Sequence, residues 1–229
     1  MSFLEESVFF GVFLSLAAYG AGSLLKRRFR LAILNPLLIS VIITIAVLAL
    51  CRIDYDIYYE GARYLSYLLT PATVALAVPL YEKLALLKAN AGAVLAGIIS
   101  GVLASLLSVL VMSLLFGLDH RNYVTLLPKS ITTAIGMGVS EELGGYVTLT
   151  VAVIIITGIF GNVIAPFLLK LLRIEEPIAR GIGIGTASHA IGTARAMEMG
   201  ETEGAMSSLS IVVSGVLTVI GASVFASFL

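Results

Sequence analysis

The sequence predicts an all-α membrane protein, a polytopic transmembrane helical bundle with inverted internal repeats, broken helices and one re-entrant segment. Three observations carry that expectation. Hydrophobic residues are 59% and charged residues 12% of the 229, with no tryptophan, and mean hydropathy is +1.06, beyond what a water-soluble domain of this length carries. The charges are gathered between apolar stretches close to the roughly 20 residues that cross about 30 Å of hydrocarbon as a helix. Finally, a short pattern occurs twice: Ala72-Thr73-Val74-Ala75-Leu76-Ala77 matches Ala187-Ser188-His189-Ala190-Ile191-Gly192, and downstream Ser100-Gly101-Val102-Leu103 matches Ser214-Gly215-Val216-Leu217. Each copy sits on a Gly- or Pro-interrupted segment followed by a long uninterrupted one, the sequence form of a carrier built from repeats.

The segments follow in order. Residues 7–25 are free of charge and precede the basic run Lys26-Arg27-Arg28-Phe29-Arg30, while Glu5-Glu6 come before them. That polarity is the reverse of a cleavable signal peptide and puts the basic cluster on the cytoplasmic side. Residues 31–51 and 64–81 are next, the latter interrupted by Pro71 and Pro79; 89–118, 143–169 and 204–229 are full spans. The loop Arg52–Arg63 is expected outside, and Lys83 and Lys88 inside. Two segments are imperfect: 122–140 carries Pro128, Lys129 and two glycines, and 181–194 carries Gly181, Gly183, Gly185 and Gly192.

If 122–140 crossed, the basic residues Lys170 and Arg173 would fall outside. A re-entrant path returns them to the cytoplasm and is the expectation. The single membrane domain (1–229) then divides into a leading helix and basic loop (1–30), repeat 1 (31–116), the re-entrant segment (117–145) and repeat 2 (146–229), with the repeats inverted. The cell (inner) membrane, crossed several times, is the expected location.

A helix broken inside a bilayer exposes backbone groups that only protein or a watery cavity can satisfy, and its N–H ends attract anions. Candidate binding residues therefore come from the interrupted segments: Lys129, Ser130, Thr132, Thr133 and Gly136 from one, Gly185, Thr186, Ser188, His189, Thr193 and Arg195 from the other, and Thr73 from the first repeat. Lys129 lies within one imperfect segment and Arg195 directly follows the other, and a charge at membrane depth needs a partner, a cavity or a ligand. Ser188, Gly192 and Arg195 stand at i, i+4 and i+7, one face of a helix. His189 is either a donor to the solute, a proton carrier, or an interhelical hydrogen bond.

Several of these residues also carry a resemblance. Pro128-Lys129-Ser130-x-Thr132-Thr133-x-x-Gly136, Ser140-Glu141-x-x-Gly144-Gly145, Gly161-Asn162, and Gly181-x-Gly183-x-Gly185-Thr186-x-Ser188-His189-Ala190-x-Gly192-Thr193-Ala194-Arg195-Ala196 resemble the LrgB/CidB family. Asn35-Pro36 and the run Pro71–Tyr81 fit it too. The resemblance implies two accounts. Bacterial members are named holin- or antiholin-like modulators of murein hydrolase export and autolysis, acting beside a small LrgA/CidA-type membrane partner. Related proteins, among them the plastid glycolate/glycerate translocator, move small monocarboxylates of the glycolate, glycerate, lactate and pyruvate class. Buried cations and half-helix starts favour the carrier account, by alternating access.

Expected partners are accordingly a small carboxylate, the lipid bilayer, an LrgA/CidA-type protein and further copies of the chain. A net charge of zero argues against nucleic acid. No cofactor or metal is expected, since two histidines and one cysteine supply no metal constellation. No enzyme is expected either, because Ser188 and His189 are adjacent and point to different faces of a helix.

Overall fold

The computed structural model describes residues 9–29, 34–68, 71, 74–75 and 77–229. All regular structure among them is helical, and the chain separates into two compact units, Met1–Ala75 and Leu76–Leu229. Thr73, together with Ala72 and Leu76 of the first copy of the repeated pattern, lies outside the described residues.

The first unit holds α1 (Phe10–Phe29), α2 (Pro36–Cys51) and α3 (Tyr55–Ser66). The start of α2 is fixed by Asn35, whose side chain accepts from the backbone N–H of Leu37 at 2.8 Å and Leu38 at 3.3 Å, with Pro36 at the first helical position. Asp54 caps α3 in the same way. Both α2 and α3 pack on α1, and glycines bring the backbones close: a Cβ on Gly11 would fall on Tyr58 O and Ala62 N. Ser15 and Tyr58 share a hydroxyl hydrogen bond of 2.9 Å across that contact. The stretch expected as an outer loop, Arg52–Arg63, is thus largely helix, because its tyrosines recur at helical spacing and stack, Tyr55 on Tyr59 at 5.8 Å.

The second unit runs α4 (Ala77–Glu82), α5 (Leu84–Ala89), α6 (Ala91–Phe116), α7 (His120–Leu126), α8 (Thr133–Glu142), α9 (Val147–Leu171), α10 (Pro177–Met199) and α11 (Glu201–Phe225), ending in a 3₁₀ turn, Ala226–Phe228. Three described helices, α6, α9 and α11 with its 3₁₀ extension, are long and apolar enough to cross a membrane. They agree with the full spans expected from residues 89, 143 and 204 onward. The buried faces of α6 and α11, including Val94, Ile98, Val102 and Leu106 of α6 and Met206 of α11, close one core with Tyr123 and Val124 of α7 and Leu127 just after it. Short α4 lies along α11, and Lys83 after it pairs with Glu201 at 3.1 Å.

Two segments of this unit fold back on themselves. α7 and α8 form the first hairpin. Thr125 of α7, Ser140 of α8 and Thr150 of α9 stand at one level, with the Thr150 hydroxyl 2.9 Å from Thr125 O and 2.7 Å from Ser140 Oγ. One turn or so deeper, Gly136 faces Pro128. Residues 122–140 therefore enter and leave at the same end of the unit.

The second hairpin departs from expectation. Residues 181–194 were expected to cross as a broken helix; instead α10 reverses at His189, whose backbone is non-helical with φ 41° and ψ −144°. A Cβ on Gly192 would lie 3.3 Å from Ile184 O, whereas eight residues span about 12 Å along a straight helix. Gly181 and Met197, near opposite ends of α10, both meet the first turn of α11, at Glu203 and Gly204. The two arms thus run parallel and antiparallel to α11, and both begin and end beside Glu201. The physical reason is room: Gly181, Gly185 and Gly192 leave no side chain between arms and neighbours, so the chain can pack back on itself.

Helix α9 runs from the mouth of the first hairpin to the mouth of the second. α6 followed by α7–α8, and α9 followed by α10, are therefore two helix-plus-hairpin pairs of opposite sense. These pairs, 91–142 and 147–199, do not coincide with the repeats expected over 31–116 and 146–229.

Candidate functional site

The hairpin tips meet beside the middle of α9, along Ile154–Gly161. At the first tip the backbone turns through Pro128–Ile131, with Lys129 N–H donating to Leu126 O at 3.1 Å and Ile131 N–H to Pro128 O at 3.3 Å. Proline ends α7 by clashing with helical backbone before it. The next helix starts at Thr133, with its N–H end in the interior of the unit.

Lys129 projects from this tip and is half-buried. Its Nζ donates to Ser130 Oγ at 3.1 Å and to Ser105 Oγ of α6 at 3.2 Å, and the two hydroxyls are 3.1 Å apart. Among the described residues it pairs with no carboxylate. An ammonium has three donors, and here two are spent on neutral hydroxyls, so the charge itself is uncompensated. A buried charge in that condition is costly unless a ligand or water reaches it.

Two cavities converge on Lys129. One, of about 420 Å³, runs between α9 and the first arm of α10 and is lined by Thr157, Gly161, Gly183, Ala187 and Ser188 as well as Lys129. The other, of about 290 Å³, lies between α6 and the same arm, lined by Gly97, Gly101, Ser105, Ser108, Ser130 and Thr186. It adjoins a third space of about 400 Å³ that shares Gly97, Ile182 and Gly183 with it and reaches Asn90 and Glu176 at the mouth of the second hairpin. Tyr123, Val124 and Leu127 of the first hairpin, all fully buried, line none of these spaces.

The second tip is made differently. His189, 3% exposed, reaches α9 with Nε2 at 3.0 Å from Ile154 O, in a space cleared by Gly158, where a Cβ would meet the imidazole. Its own carbonyl, freed by the helix break, accepts from Thr193 Oγ1 at 3.0 Å, and Thr193 Oγ1 is also 2.7 Å from Ser207 Oγ of α11. Asn162 Nδ2 donates to Ile191 O at 2.7 Å. These partners answer the groups that a broken helix leaves open. The non-glycine residue at positive φ is a strain of order 1–3 kcal/mol, held in place by these contacts.

The residues expected to form one site are therefore divided. Lys129, Ser130, Thr186 and Ser188 line the converging cavities. Thr132 and Thr133 begin α8 just behind Lys129. His189 and Thr193 face α9 and α11 instead. Gly136 packs on Ile154, and Gly185 on the Ser207 backbone. Arg195 lies six residues past the tip on the returning arm, joined to Glu198 at 2.5 Å, and lines neither cavity; the single face expected for Ser188, Gly192 and Arg195 is broken at His189. The residue that sequence reasoning missed is Ser105. Its signal was present as Gly97, Gly101, Ala104, Ser105 and Ser108, a stripe of small and hydroxyl residues at helical spacing inside an apolar span, where small residues mark helix interfaces.

The LrgB-like family model matches residues 15–228. Among curated relatives, the uncharacterized protein YxaC of Bacillus subtilis (strain 168) is 38% identical over 206 residues, 90% of each chain. The antiholin-like protein LrgB of Bacillus cereus (strain B4264) is 35% identical over 222 residues, 96% of each chain, and so is its namesake in Bacillus anthracis (strain CDC 684 / NRRL 3495). No solved structure matches.

Proposed function

The chain belongs to the LrgB-like family, and from that premise we propose that it acts in the cell membrane as an antiholin-like protein. In this reading it modulates murein hydrolase export and autolysis beside a small LrgA/CidA-type membrane partner. The supporting observation is kinship over almost the whole chain with relatives named antiholin-like. Deleting the gene in its own host should change the rate of detergent-induced autolysis, and the intact gene should restore it; an unchanged rate would overturn the reading.

A second reading has its own support, the uncompensated Lys129 ammonium where two cavities converge. Here the protein is a multi-pass, non-enzymatic carrier of small monocarboxylates, of the glycolate, glycerate, lactate and pyruvate class, working by alternating access. The end bearing Lys83, Lys88, Lys170, Arg173 and Arg180 would face the cytoplasm, since short basic loops stay there. An anion entering a site of low dielectric needs opposite charge, and unit charges about 4 Å apart interact by roughly 4 kcal/mol at an effective dielectric near 20. Liposomes holding the purified protein should take up labelled glycolate saturably. Lys129→Gln should raise the half-saturation tenfold or more, a loss of at least about 1.4 kcal/mol. Saturable uptake unchanged by Lys129→Gln would remove Lys129 from the site, and no uptake at all would leave the antiholin-like reading alone.

A further inference from the structure

Thr186 is 4% exposed, and its Oγ1 has no hydrogen-bond partner. It lines the same cavity as Lys129, Ser105 and Ser108. A threonine inside a helix ordinarily turns its hydroxyl onto the carbonyl four residues back, as Thr193 does toward His189 O in this same α10. Thr186 forgoes that bond. Its side chain instead lies against Gly101 of α6, where a Cβ would come within 2.7 Å of Thr186 Cγ2. The glycine thus makes the space that the threonine occupies.

An orphaned hydroxyl at that depth costs free energy unless something accepts from it. The cavity that Thr186 lines carries further donors. Lys129 Nζ, Ser105 and Ser130 present donor hydrogens and a positive charge, and the walls between them are Gly97, Gly101 and Ala104. Every polar contribution to the cavity can donate, none is acidic, and the volume is about 290 Å³.

We propose that Thr186 donates to the bound ligand's anionic head, that Ser105 and Lys129 hold the same head from α6 and the first hairpin, and that Gly101 keeps Thr186 in its donating position. The proposal rests on the carrier reading and assigns within it a second residue that sets affinity, beside Lys129. A site whose hydroxyl waits for the ligand discriminates strongly, since a solute without a matching acceptor leaves that hydroxyl unpaired. Thr186 thereby ties the second hairpin to the ligand, as Lys129 ties the first.

The test uses the full chain in liposomes with labelled glycolate, and variants first shown to keep wild-type melting in detergent. Thr186→Val, which preserves shape and removes the donor, should raise the half-saturation five- to tenfold at unchanged maximal rate. Thr186→Ser should restore near-wild-type affinity. Gly101→Ala should reproduce the Thr186→Val phenotype by displacing the side chain. If Thr186→Val keeps wild-type half-saturation while Lys129→Gln loses it, this inference is wrong and the carrier reading stands. If wild-type protein carries no glycolate, the carrier reading itself fails. Should Thr186→Val alter melting, glycolate protection against heat denaturation replaces flux, and equal protection of Thr186→Val and Thr186→Ser would overturn the assignment.

Discussion

The two hairpins reach the same level of α9 from opposite ends, yet they are held by different means. The first breaks over a loop, Pro128–Thr132, and is tied by a ladder in which the Thr150 hydroxyl bridges the Thr125 carbonyl and Ser140 Oγ, with an aromatic seal at its mouth where Arg121 lies 4.0 Å above the Tyr146 ring. The second breaks at one residue, His189, and is held mainly by absence: Gly158, Gly161, Gly181, Gly185 and Gly192 each admit a neighbour that a side chain would displace. Its mouth carries the Arg180–Glu203 pair at 3.8 Å. A loop tip with a lysine can present charge. A tight helical reversal presents backbone ends and a hydroxyl, and leaves cavities along both sides of its first arm. The first hairpin is thereby fixed and charged, and the second closely fitted and flanked by cavities.

The comparison is broken most completely by topology. In a Cys51→Ala background, cysteines at Arg173 and Arg195 should react with an impermeant thiol reagent from one face of the membrane, and a cysteine at Asp119 from the other. Arg195→Cys reacting together with Asp119→Cys would mean that α10 crosses, and the second hairpin would not exist.

A smaller effect sharpens the contrast in packing. On Gly161 a Cβ would fall on Ser188 Oγ, so Gly161→Ala should destabilise the protein by about 1–3 kcal/mol, the usual cost of overpacking. Amide exchange should quicken over 181–196 and stay unchanged over 122–142. Equal loosening of both hairpins would show that they share one scaffold.

The smallest effect is expected from the ladder. Thr150→Val leaves Ser140 and the Thr125 carbonyl without their partner, and such bonds between buried helices are worth about 0.6 kcal/mol on average and 1.7 at most. Exchange should rise over 122–142 alone. A loss above about 3 kcal/mol would show that the ladder organises more than its own hairpin.

Much of this was legible in the linear chain because composition and charge spacing act without reference to partners. The three long helices and the all-α class follow from which residues a bilayer tolerates, and the turn at Pro128 from where prolines stop a helix. Family kinship follows from the same motifs. The glycines of 181–192 were equally visible, but a glycine only permits close approach and does not say what approaches. Whether that segment spans or reverses depends on a single backbone setting at His189, stabilised by Thr193 four residues on and by Ile154 and Asn162 of α9. Likewise Ser105 reads as one more serine in an apolar helix until α6 is placed against the tip that carries Lys129, and Arg195 reads as a site cation until the reversal carries it away. Sequence thus determined which groups must avoid lipid; tertiary structure decided which of them meet, because burial is a property of residues and convergence a property of pairs.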